Sequence, residues 1–246
     1  MDPFFKKILR YQYPSKEELT EIEDRSPMLR RFGFIDQWNN KLIKDNLING
    51  SNEKYNKLSH LYEWDKLLKN KIGDLQTAYV YVLVHFNRGV PRTAQEYIEN
   101  TDSRPNYDNL RFYFTYLHYI VISVVDNILQ IISEYFDLEL KENKVHKRKV
   151  VEKLEEHSIQ TVADIINTFY NDFEKHTDTR NTLAHRFSPY DIDRRSKLDD
   201  DRPHEKITFG FNNEFCDFEG EIANVEKSFD LLRSYIAQLR QEMNLS

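Results

Sequence analysis

The chain has 246 residues but only one cysteine, Cys216, so it cannot form an internal disulfide. A single cysteine also excludes a zinc site built from several cysteines, and it is usual in a reducing compartment. Six glycines and seven prolines are too few for a loop-rich or disordered protein. The N-terminus lacks the layout of a signal peptide, and the longest uncharged run, 112–125, is too short to span a bilayer. We therefore expect a cytoplasmic protein with no membrane partner.

Positive charge is also in deficit, since 35 lysines and arginines face 41 acidic residues and the net charge is −6. Nonspecific affinity for nucleic acids comes mostly from cationic side chains that neutralise phosphates. The composition therefore argues against a general nucleic-acid-binding protein. It leaves room for an enzyme with a locally basic cleft.

Several well-known site patterns are missing as well. The chain has no glycine-rich phosphate loop, no metalloprotease histidine pair and no serine elbow of a hydrolase. Three consecutive acids, 199–201, stand close to His204, but adjacent acids in a polar loop usually face water. We accordingly expect neither a metal nor another cofactor.

Hydrophobic residues make up 39% of the chain, and their spacing of three and four residues predicts helices. Such stripes occupy 55–68, 110–136, 161–173 and 222–243. The apolar run 75–86 is rich in β-branched residues and is compatible with a strand, although a buried helix is favoured. The stripe 222–243 is an unbroken heptad seam, which packs either within the chain or against a second copy.

The fold class predicted from these patterns is all-α, with one small β-hairpin. The polar loop 101–106 is the best internal boundary, which divides the chain into a helical N-terminal extension, 1–106, and a helical bundle, 107–246. Segments 206–211 and 215–218, separated by a polar turn, predict the hairpin immediately before the last helix. The basic run 141–149 either guides RNA or is simply a solvated connector.

The most informative segment is Arg180-Asn181-Thr182-Leu183-Ala184-His185-Arg186-Phe187. The guanidinium group of arginine is suited to binding phosphate oxygens, and histidine transfers protons near neutral pH. Asn181 can hold either partner in place without adding charge. A second arginine–histidine pair, Arg111 and His118, has no polar residue after the arginine, and we interpret it as part of a buried helix.

Good N-cap residues, 177–179, stand immediately before the motif. A helix that begins there would present free backbone N–H groups to an anion. At about 100° per residue, Arg180 and His185 diverge by about 140°. One helix therefore does not close both side chains around one phosphate, whereas two copies facing each other across a two-fold axis can.

The acid of the central helix, Asp126, would need a partner if it were buried, and Arg180 is one candidate.

Arg-Asn-x-x-x-His, followed by an aromatic residue and preceded by a long apolar helix, resembles the HEPN superfamily (higher eukaryotes and prokaryotes nucleotide-binding). The resemblance covers the motif and the helical pattern from about Asp108 onward. It implies a helical bundle, usually dimeric, and in many members a metal-independent ribonuclease of toxin–antitoxin or antiviral defence systems.

Carried to this sequence, the resemblance implies that Arg180, Asn181 and His185 are catalytic at a site composed from two protomers. His185 would transfer the proton while the RNA 2′-OH attacks phosphorus, and Arg180 would stabilise the phosphoryl charge. Arg186 would add a phosphate contact, and Tyr190 would stack on a base. The partners implied are RNA, a second copy of the chain and an antitoxin such as a nucleotidyltransferase-like protein. The alternative is a noncatalytic HEPN module that dimerises or binds RNA or nucleotide.

Overall fold

The computed structural model describes residues 13–25, 52–100, 102–174, 178–179 and 217–245. Within these ranges the secondary structure is helical, with seven α-helices, one 3-10 helix and no strand. The α-helices are α1 Lys16–Arg25, α2 Asn52–Asn87, α3 Ala94–Glu99, α4 Arg104–Tyr135, α5 Lys147–Glu156, α6 Gln160–Asp172 and α7 Phe218–Glu242. The 3-10 helix, Glu142–Lys144, lies between α4 and α5. The prediction of an all-helical framework is confirmed.

Helix α2 joins two segments that the sequence treats separately, the stripe 55–68 and the apolar run 75–86. The helix runs for 36 residues without interruption and passes through Gly73. Because 75–85 is buried on most sides of a helix, its periodicity alone could not separate helix from strand. The helical interpretation of this run is confirmed. The helix ends before Gly89, whose φ of +91° is readily adopted only by glycine.

The chain forms two compact units, and α2, α4 and α7 each contribute residues to both. Of the described residues, the first unit contains 13–25, 77–100, 102–117 and 217–222, and the second contains 52–76, 118–174, 178–179 and 223–245.

In the first unit, α1 packs through Ile22 against Val80 and Val84 of α2. An ion pair reinforces this contact, since Arg88 donates from Nε to Oε1 of Glu18 at 2.7 Å and from one terminal nitrogen to Oε2 at 2.8 Å. The fork geometry holds the pKa of Glu18 at about 2, because the arginine bonds stabilise the carboxylate. Helix α1 is thus fixed by a small apolar cluster and one bidentate pair.

In the second unit, the core is built on α4, whose residues 124, 125, 128, 129, 131 and 132 are almost completely buried. The ring of Phe169 on α6 stacks on that of Tyr235 on α7 with centroids 4.1 Å apart. The hydroxyl of Tyr135 donates to the carbonyl of Met243 at 2.6 Å. These contacts join α4, α6 and α7 through their buried faces.

The seam of α7 is used within the chain. Its residues Ile222, Val225, Phe229, Leu232, Ile236, Leu239 and Met243 are all buried, none exposing more than 9% of its surface. The alternative, in which this seam pairs with a second copy, would require an apolar stripe open to solvent. Packing within the chain is therefore the correct interpretation of the heptad pattern.

The predicted hairpin requires a correction at its C-terminal end. Phe218, assigned to the second strand, is the first residue of α7. The physical reason is a helix cap: Asp217 accepts a hydrogen bond from the backbone N–H of Gly220 through Oδ1 at 3.1 Å, which starts the helix one residue later. The remainder of the hairpin, 206–216, lies outside the described residues. The described part of the chain gives the hairpin no support.

Helix α4 begins at Arg104, so the loop predicted for 101–106 is shorter than expected. The division of the chain at 106/107 stays a prediction.

By length and composition α4 is also a candidate membrane span, with a mean hydropathy of 1.4 in its most apolar window. Of that window, 61% is buried within the protein, a pattern that the core helix of a soluble protein also produces.

Candidate functional site

The predicted site residues fall between α6 and α7 in the chain. Arg180, Asn181, His185, Arg186 and Tyr190 lie outside the described residues, so their roles stay predictions. The two residues before the motif, Asp178 and Thr179, are described and helical. Asp178 is exposed and Thr179 is half-buried.

The second arginine–histidine pair behaves as an interior feature. His118 lies within α4 and exposes only 1% of its surface, and Arg111 is half-buried. Chemistry on a substrate requires that the reacting side chain be reachable. This pair is therefore no candidate site, as its apolar surroundings in the sequence indicate.

Another buried histidine, His85 on α2, is held by its neighbours in the first unit. Its Nδ1–H donates to Oδ1 of Asn106 at 3.3 Å, and its ring stacks on Tyr113 with centroids 6.0 Å apart. Burial lowers the pKa of His85 below the ordinary value of 6.5. With 1% of its surface exposed, it is a structural histidine and not a proton-transfer group for a substrate.

Two charged side chains, Lys147 and Asp126, interact with Tyr170 near the end of α6 in the second unit. The ammonium group of Lys147 lies 5.0 Å from the centroid of the Tyr170 ring, a cation–π contact. Burial raises the pKa of Tyr170 far above its ordinary value, and the negative charge of Asp126 raises it further. At neutral pH the Tyr170 hydroxyl is thus a hydrogen-bond donor and never a base.

Asp126, the acid of the central apolar helix, is exposed. The sequence requires a partner for this acid only if it is buried, and the candidate partner, Arg180, lies outside the described residues. Lys71 lies within electrostatic range of it; burial lowers the pKa of Lys71, and the Asp126 charge opposes that shift. The Lys71 ammonium donates to the carbonyl of Ser123 at 3.0 Å. The next residue in the chain, Asn127, is buried, and its side-chain amide donates to the carbonyl of Trp64 at 2.8 Å.

Sequence reasoning overlooked these interactions for a definable reason. Tyr170 and Tyr235 stand at helical spacing among apolar residues. The spacing therefore predicts that their rings are part of the core, but it gives no information about their hydroxyl groups. The Tyr235 hydroxyl is buried and makes no hydrogen bond with a described residue, and burial raises its pKa. Lys147 contacts the Tyr170 ring, and Lys71 lies within electrostatic range of Asp126. In both cases the two residues are distant in the chain, so no local signal in the sequence brings them together.

Metal binding is not indicated in the described part of the chain, where no three His, Cys, Asp or Glu side chains are grouped as ligands. Acids 199–201 and His204 lie outside it.

Comparison with known proteins gives one clear result. The model of the Cthe2314-like HEPN family matches residues 64–244, well over half of the chain. No curated protein and no solved structure matched the sequence. The match includes part of the predicted N-terminal extension, residues 64–106, and it includes the Arg180–His185 motif. The chain therefore belongs to the HEPN superfamily, within its Cthe2314-like family.

Proposed function

We propose that this protein is a metal-independent endoribonuclease of the HEPN type, and that it serves as a toxin or defence effector in the cytoplasm. The observation that carries the proposal is the position of Arg180, Asn181 and His185 inside the span matched by the HEPN family. A phosphate-binding group, an orienting amide and a proton-transfer group are the parts that RNA cleavage by the 2′-OH requires.

In the proposed reaction His185 removes the proton of the RNA 2′-OH as that oxygen attacks the adjacent phosphorus. The bond from phosphorus to the 5′-oxygen breaks, and that oxygen leaves with a proton supplied by the partner protomer's copy of the same histidine or by water. The products are a 2′,3′-cyclic phosphate and a 5′-hydroxyl. Arg180 stabilises the charge on the phosphoryl oxygens, Asn181 orients His185, and Arg186 and Tyr190 bind phosphate and base. A well-placed proton-transfer group contributes about 10²- to 10⁴-fold.

The deciding experiment incubates purified protein with mixed RNA in EDTA. We expect the wild-type protein to cleave and the variants His185→Ala and Arg180→Ala to lose at least about 100-fold in rate. His157→Ala is the matched control, since His157 is an exposed histidine of the second unit and its loss should leave the rate unchanged.

Each other outcome has a definite meaning. Equal cleavage by all four proteins would expose a contaminating nuclease. A requirement for added divalent metal would overturn the mechanism even if RNA were cut. Binding of RNA or nucleotide without cleavage would favour the second candidate function, a noncatalytic HEPN module, which the family match supports equally well.

We further propose that the activity is restrained in the cell, because an unrestrained ribonuclease would harm its host. The restraining partner would be an antitoxin, for which a nucleotidyltransferase-like protein is the family analogy. The N-terminal part of the chain, 1 to about 106, is the other candidate for this role; the family match includes it only from residue 64 onward.

A further inference from the structure

A group of exposed cations marks one end of the α5–α6 pair in the second unit. We call it the cationic ridge; it consists of Lys141, Lys144, Lys147 and Arg148. Three of them are exposed, and Lys147 is half-buried under its contact with Tyr170. The neighbouring Lys149 pairs with Glu152 at 2.8 Å. The ridge cations, by contrast, form no ion pair with any residue that the structure describes.

The charge order of α5 opposes its own helix dipole. The helix begins with three cations, 147–149, and ends with Glu155 and Glu156. The N-terminal end of a helix carries partial positive charge, so cations there and acids at the far end both destabilise it. His146, at the N-cap, makes no capping hydrogen bond with its side chain. The last turn also contains Lys153, whose charge is favourable there, so the conflict lies mainly at the N-terminal end. A sequence that breaks a local rule at the start of a helix indicates a demand other than stability.

The ridge stands on a well-packed support. Val150 and Leu154 of α5 are completely buried, and Gln130 of α4 donates from Nε2 to the carbonyl of Glu142 at 3.0 Å. The Lys147 ammonium is held 5.0 Å from the Tyr170 ring centroid. The cations are therefore attached to fixed backbone, which lowers the entropic cost of binding a ligand at several points.

The ridge also contrasts with the rest of the molecule. The whole chain carries −6, yet 141–149 holds five lysines and arginines against a single acid, Glu142. Adjacent cations that form no ion pair with a described residue repel one another and favour a ligand with several negative charges in a row. A nucleic-acid backbone, with its regular phosphates, has that chemistry.

We propose that the cationic ridge binds the phosphate backbone of single-stranded RNA, on a surface of α5 and the preceding 3-10 helix that is separate in sequence from the Arg180–His185 motif. Naming RNA as the polyanion rests on the proposed function; the ridge itself rests on the described residues. The contacts are ionic and independent of base sequence.

The test replaces the three exposed ridge cations together, Lys141→Gln, Lys144→Gln and Arg148→Gln. The matched control removes three exposed cations elsewhere, Lys16→Gln, Lys69→Gln and Lys227→Gln, and so changes the net charge equally. Both triple variants are made in the full chain together with His185→Ala, so that the RNA is not cleaved during the binding measurement. Binding of a labelled single-stranded RNA is measured by anisotropy across about 50 to 200 mM salt.

Each phosphate contact to single-stranded RNA contributes about 0.7 to the slope of log K against log salt. The ridge variant should therefore lose about 2 from that slope and bind on the order of tenfold or more weakly at low salt. The control variant should keep most of the slope. The thermal midpoint of the ridge variant should be unchanged or higher, because the dipole conflict at the start of α5 is reduced.

A slope unchanged in the ridge variant, or lowered equally in both variants, would overturn the proposal. The proposal would also be overturned if the ridge variant lost binding to vesicles of anionic lipid but still bound RNA as tightly as before. The result is independent of catalysis: if wild-type protein cuts no RNA but the ridge variant alone loses slope, the ribonuclease proposal fails and the ridge remains an RNA-binding surface.

Discussion

At the scale of single residues, burial decides what each histidine can do. His85 and His118 are each 1% exposed, whereas His146 and His157 are exposed. For His85, the loss of water around the ring disfavours the charged form, and Arg88 does so as well, while Asn106 and Glu18 oppose the shift. The net result is a lowered pKa, so the folded protein holds this ring neutral.

His85 should therefore make stability depend on pH. The unfolded chain protonates this residue below its ordinary pKa of 6.5, but the folded chain does so only at lower pH. The stabilising contribution is complete above 6.5 and is lost as the pH falls from there to the lowered pKa. In His85→Phe, which keeps a ring against Tyr113, the free energy of unfolding should change less than in wild type between about pH 7.5 and 5.5.

Denaturant unfolding at the two pH values measures this difference. His146→Phe is the control, because it makes the same substitution at an exposed histidine. An identical pH dependence in wild type and His85→Phe would show that His85 does not couple protonation to folding.

At the scale of the elements, α2 shows how a helix can be longer than its sequence suggests. Gly73 in its middle is exposed, and a Cβ added there would meet nothing within 4 Å. Glycine in a helix interior costs about 0.5–1 kcal/mol relative to alanine. The helix therefore continues through Gly73 because the flanking residues, Leu68, Ile72 and Leu75, are buried on one side of it. Tertiary packing outweighs a local preference here.

Gly73→Ala should raise the free energy of unfolding by about 0.5–1 kcal/mol. Gly220→Ala, in the first turn of α7, should give no such gain. Its Cβ would lie 2.5 Å from Oδ2 of Asp217, so the carboxylate that caps the helix would have to move. Denaturant unfolding of both variants measures the contrast, and equal gains at the two sites would contradict the cap assignment of Asp217.

At the scale of the whole molecule, the buried seam of α7 leaves self-association to other surfaces. We still expect a homodimer with its two-fold axis close to His185. If the motif is helical, as its sequence predicts, Arg180 and His185 would diverge by about 140°, and a shared cleft needs both. Sedimentation at micromolar concentration should show a dimer. If only monomer were found over a wide concentration range, the proposal of a site composed from two protomers would be weakened. If that monomer also cleaved RNA, the proposal would be wrong.

The sequence by itself determined the family and the helical class. Periodicity places α6 within one residue of its observed bounds and α4 and α7 within four to six residues at the start and one at the end, because a buried stripe must repeat at the period of the helix. The eight-residue motif is sufficient to suggest HEPN, and the family match over 64–244 confirms it. Both are local signals: one helical face, or one short run of residues.

Tertiary structure decided what depends on contacts between distant segments. Whether the α7 seam pairs within the chain or with a second copy depends on which surfaces the rest of the chain offers it, and the seam residues are buried within the chain. Phe218 joins a helix instead of a strand because the Asp217 side chain caps it. Asp126 faces solvent near Lys71, whereas its neighbour Asn127 is buried against Trp64. A sequence records which residues are apolar or charged, but burial sets their pKa values and partners, and burial arises only when remote segments meet.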